Sequence, residues 1–115
     1  MEKKKIVIIT PQSQVLIQSI EGEFVDYDTL NNGVQGWIES VSLMNGLTMW
    51  VNEEGKLLGL DVNPIATRLW EKMYGPTDII VGPAVLTAGT DEDGETLAFN
   101  EQDAYSLLAM IDSLN

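Results

Sequence analysis

Trp50-Val51-Asn52-Glu53-Glu54-Gly55-Lys56-Leu57-Leu58-Gly59-Leu60-Asp61-Val62-Asn63-Pro64-Ile65-Ala66-Thr67-Arg68-Leu69-Trp70 runs from an apolar strand through a polar turn into an amphipathic repeat. The second half predicts a helix. Asn63 can accept a hydrogen bond from a first-turn amide, and Pro64 at the first helical position lacks an N–H that the helix does not need. Ile65, Leu69 and Met73 recur at four-residue spacing, with Ala66 and Trp70 beside them, so one face is expected to be buried. Gly75-Pro76 stops the helix. In the first half, Glu53-Glu54-Gly55 reads as a turn and Lys56-Leu57-Leu58 as a short further strand.

Upstream the pattern is extended. Lys5-Ile6-Val7-Ile8-Ile9-Thr10 is rich in β-branched residues and stops at Pro11, and Val15 to Ile20 reads as its hairpin partner. Asp28 is placed to cap a short helix over residues 29–32, with Gly33 and Gly36 bracketing its exit. Trp37 to Leu43 and Leu47 to Val51 are strands joined by Asn45-Gly46, whose tolerance of positive φ suits a type I′ turn. Downstream, residues 78–88 read as one long strand. Pro83 would remove a ladder donor there, which argues for an edge position or a bulge. Asn100 caps a last helix that buries Ala104, Leu107, Leu108, Ile111 and Leu114. The fold class is α+β: one small domain over residues 1–115, a mostly antiparallel sheet in meander order, and a central and a C-terminal helix.

Composition narrows the chemistry. The chain has no histidine and no cysteine, so the commonest general base, the commonest metal ligand and the thiolate nucleophile are all missing. No Gly-rich phosphate loop is present. A non-enzymatic protein without cofactor or metal is expected. Net charge is −12, from 18 acidic and 6 basic residues, which repels phosphate backbones and argues against direct nucleic-acid binding. Half of the basic residues are Lys3, Lys4 and Lys5, and none follows Lys72. The lysine run and the short apolar run after it begin like a signal peptide, but Thr10-Pro11 cuts the run short. With no apolar run long enough to span a bilayer, the expected location is the host cytoplasm.

Two groups of residues are candidates for binding. Asn52, Glu53, Asn63 and Arg68 would form a ligand site if Arg68 points into a pocket with the two asparagines, where a guanidinium can hold an anion bidentately. The bland alternative has Arg68 paired with Glu71 or Glu39, and the glutamates on a solvated turn. Asp91, Glu92, Asp93 and Glu95 form an acidic tip. Their spacing is not that of an EF-hand, so they read as a charged hairpin end or as a partner-binding surface.

Three blocks of the sequence are similar to the DUF3846 family: Gly33-Val34-Gln35-Gly36-Trp37-Ile38-Glu39, then Asn52 to Leu60 with Asn63 and Arg68, then Asp78 to Gly82 with Asp93-Gly94-Glu95. Gln35 departs from the small residue of the family pattern. The resemblance implies an origin in bacteriophages or other mobile elements and transfers no catalytic residue. Two functions are expected from composition and resemblance together. One is a stoichiometric inhibitor that binds a host protein, by acidic mimicry of nucleic acid. The other is a module that sequesters a small nucleotide-like signal. Several short strands with no obvious closure leave an open edge, so a homodimer is expected.

Overall fold

The computed structural model describes residues 2–114; Met1 and Asn115, the ends of the expected domain, lie outside them. Five strands form one antiparallel sheet: β1 (Lys5–Ile9), β2 (Val15–Ser19), β3 (Ile38–Ser42), β4 (Thr48–Asn52) and β5 (Ala84–Thr87). Their order is β2-β1-β5-β4-β3. This corrects the meander. The two hairpins flank β5, which pairs antiparallel with β1 on one side and β4 on the other. It also corrects the long strand over 78–88. Only Ala84–Thr87 joins the sheet, at its centre, and Pro83 sits just before it, where its missing N–H interrupts no ladder.

The side-chain period of two divides the strands between two cores. Val7, Ile9, Met49, Val51, Ala84 and Leu86 pack on one face with Ile65, Ala66 and Leu69 of α2 (Pro64–Tyr74) and Ala104, Leu107 and Ile111 of α3 (Glu101–Asp112). Ile6, Val85 and partly buried Trp50 pack on the other face with Leu30 and Val34 of α1 (Tyr27–Val34). Burying both faces needs apolar residues at consecutive positions, and β5 is buried throughout.

Asp26, not Asp28, caps α1, because Leu30 and Val34 must face the sheet; its Oδ1 accepts from Thr29 N at 2.8 Å. Gly33 lies inside this helix, and its missing side chain is what allows close packing. A Cβ there would stand 2.5 Å from Val85 Cγ2. At the β3–β4 turn, Asn45 and Gly46 both take positive φ, as their sequence predicts. In α2, Leu69 is buried, Trp70 is only partly so, and Met73 is exposed. The stripe is therefore narrower than four-residue spacing suggests. Leu108 of α3 is half-buried, and so is Leu114, which lies in a turn just past the helix end.

Candidate functional site

Beyond β4 the chain turns back through residues 53–59, and Lys56-Leu57-Leu58 belongs to that turn rather than to a strand. Leu58 N donates to Glu54 O and Leu60 N to Gly55 O, a helical-type winding that leaves Leu57 and Leu58 in solvent. The stretch 77–81 returns alongside. Asn63 N donates to Ile80 O and Gly82 N to Asp61 O, both at 2.8 Å, and Lys56 pairs with Asp78. These two segments and the ends of β3 and β4 enclose a groove of about 140 Å³ lined by Glu39, Asn52, Glu53, Leu57 and Ile79, among others. Pockets for drug-sized ligands run from roughly 300 Å³ upward, so this one fits a single side chain rather than a nucleotide.

The four residues expected to form a ligand site are not brought together. Asn52 and Glu53 line this groove. The Asn52 amide is held on the α1 side, donating to Val34 O at 3.2 Å and Gln35 O at 3.3 Å and accepting from Glu54 N at 2.9 Å. Asn63 is fully buried on the α2 side. Its Oδ1 accepts from Ala66 N at 3.1 Å, and its Nδ2 donates to Ile9 O at 3.0 Å and Gly82 O at 2.9 Å. Arg68 reaches the end of α3, where Nη1 donates to Leu114 O at 2.6 Å, and it lines a separate hollow with Glu71 and Lys72. Each asparagine thus ties distant backbone segments together. In the acidic tip, Asp91 Oδ1 accepts from Asp93 N and Glu95 N at 2.9 Å, shaping the turn, while Glu92, Asp93 and Glu95 stand in solvent.

Sequence reasoning missed Trp37 and Asp78. Trp37 is 62% exposed, whereas Trp50 donates to Thr87 Oγ1 and packs in the α1-side core, and Trp70 donates to Thr77 Oγ1 beside Tyr74. The available signal was position: Trp37 follows Gly36 at the start of an edge strand. The Asp78 carboxyl is held below the ordinary aspartate range by its hydrogen bond from Lys56, then by that from Ile79 N.

The sequence matches the family described as a domain of unknown function, DUF3846, over residues 3–112. The chain belongs to the DUF3846 family. No curated protein and no solved structure shows significant similarity to it. Among the described residues of this DUF3846 chain, no helix is long and apolar enough to cross a membrane.

Proposed function

We propose that this DUF3846 protein is a non-enzymatic accessory protein of a phage or mobile element that binds and inhibits a host protein in the host cytoplasm. In this reading its acidic surface occupies a basic groove on that partner, where nucleic acid would otherwise lie. The observation that carries the reading is the segregation of charge. After Lys72 every charged side chain is a carboxylate, and Glu92, Asp93, Glu95, Glu101, Asp103 and Asp112 all stand in solvent. Carboxylates so placed steer encounter with a cationic surface and suppress acidic partners. Sequestration of a nucleotide-like signal draws less support, since the Asn52 and Asn63 amides are held by backbone and the groove beside Asn52 is small.

The test compares wild type with a variant carrying Asp91→Asn, Glu92→Gln, Asp93→Asn and Glu95→Gln. The amides preserve the Asp91 turn acceptor while removing charge. Partners captured from host lysate by wild type should release as salt rises past the point where the Debye length falls below about 8 Å, and the variant should capture less at low salt. Identical capture by both proteins at both salt levels would end the proposal.

A further inference from the structure

We propose that the open edge of β3 takes up an extended segment of the partner, with a lysine or arginine of that segment seated against Trp37, Glu39 and Glu53. This rests on the reading of the protein as a binder of a basic partner and gives that reading a place on the molecule.

The backbone ladder defines the edge. Glu53 N donates to Trp37 O and Leu43 N to Leu47 O, one residue beyond each end of β3, so within β3 it is Glu39 and Val41 that bond to β4. The N–H and C=O groups of Ile38, Ser40 and Ser42 therefore turn outward. Ser42 O already accepts from the Tyr74 hydroxyl, which ends the open stretch at that point. Ile38 to Ser40 remain as a short template for one added strand.

The ladder also fixes which side chains flank that template. Trp37 stands opposite Glu53, and Glu39 follows two residues along β3 on the same face, opposite Val51. Cross-strand and i, i+2 neighbours lie within reach of one incoming side chain. An indole face attracts a cation, and carboxylates bond it through charge-assisted hydrogen bonds. Among the described residues, Lys56 is the one cation that lines the groove; it is paired with Asp78 rather than with Glu39 or Glu53. Ile79, 52% exposed, and Leu57, 88% exposed, offer apolar contact to the stem of the guest side chain. The opposite edge does not fit this guest. β2 carries no charge, Lys5 bonds to Ser19 at its end, and Lys3 bonds to Glu21 just beyond it.

The test titrates the protein with a capped octapeptide of alternating arginine and valine, with its glutamate-for-arginine counterpart, and with a version N-methylated at alternate amides. The arginine peptide should bind at low salt and the glutamate peptide should not. Trp37→Ala should weaken binding about fivefold, and Glu39→Gln with Glu53→Gln about tenfold. All three sites are exposed, and unchanged thermal melts check that the variants fold. N-methylation on the strand-pairing amides should abolish binding. Equal affinity for wild type and both variants overturns the proposal. Where that affinity instead falls with the amide variant of residues 91–95, the acidic-binder reading stands without this site. Binding indifferent to N-methylation overturns strand addition. No binding of any arginine peptide overturns the site, and the lysate comparison then decides the broader reading alone.

Discussion

Asn63 donates twice and accepts once at zero exposure, and it joins the start of α2 to β1 and to Gly82. Asn63→Ala should cost about 3 kcal/mol or more, the loss of a cap together with two buried carbonyls left unpaired. Asn63→Asp keeps the acceptor for Ala66 N but sets an anionic oxygen against both carbonyls. It should be at least as destabilising at neutral pH in urea denaturation. The cap was legible, because Asn-Pro before an apolar repeat is a local signal. The amide's other partners were not, since Ile9 is 54 positions away and no periodicity encodes that contact. Gly36 poses a similar problem. A Cβ there would meet Asn52 Nδ2 at 2.5 Å, so Gly36→Ala must push the amide off Val34 O and Gln35 O. A cost of about 1–3 kcal/mol is expected, and it should shrink in an Asn52→Ala background, a non-additivity that a double-mutant cycle measures. Asp26 and Asp78 have carboxyls lowered in the folded state, Asp26 by the Thr29 side chain and then Thr29 N–H. Their contribution is therefore present above the ordinary aspartate value and is lost as pH falls through the lowered one. Lys56→Met should move the Asp78 carboxyl titration upward, toward the ordinary aspartate range, and flatten the acid limb of stability.

Among the elements, α2 carries the clearest test. Leu69 is buried between the helix and the sheet, so Leu69→Ala should lower stability by about 2–5 kcal/mol. A loss under about 0.5 kcal/mol, within the range of surface substitutions, would mean α2 does not dock through this face. Helix existence was readable because caps and period agree over three turns. Lys56-Leu57-Leu58 misled because three apolar or amphipathic residues carry no period, and here they are exposed on a turn. The span 78–88 misled because Ile80 packs into the α2-side core while its backbone bonds Asn63 N–H and Thr67 Oγ1 instead of a sheet ladder. The candidate site was half legible: Asn52 and Glu53 line the groove, but register alone brings Trp37 beside Glu53, and a single sequence does not state register. The two sheet edges differ. β2 has no charged residue, and among the described residues no side chain bonds its outward backbone in the manner of Tyr74 on Ser42. We therefore expect self-association through β2 across Ile17. Light scattering at tens of micromolar should give the dimer mass for wild type and the monomer mass for Ile17→Lys.

For the whole molecule, a net charge of −12 on 115 residues opposes compaction. Only two ion pairs, Lys3–Glu21 and Lys56–Asp78, are found among the described residues, and both are exposed. Added salt should raise the thermal midpoint, since it screens repulsion more than it weakens two surface pairs. A midpoint that falls with sodium chloride would show that attractive pairs dominate instead. The order β2-β1-β5-β4-β3 has a further consequence, which belongs to the ribosome. The strand at the centre of the sheet is the last one translated. The β3–β4 hairpin is complete at Asn52, and at about 5–20 residues per second its neighbour β5 arrives roughly 2–6 s later. Until then both hairpins emerge with an unsatisfied inner rim, Val7 to Ile9 on one and Thr48 to Trp50 on the other. Nascent chains stalled before Ala84 should be cleaved by protease as two separate ribbons, and only the released polypeptide should become resistant as one body.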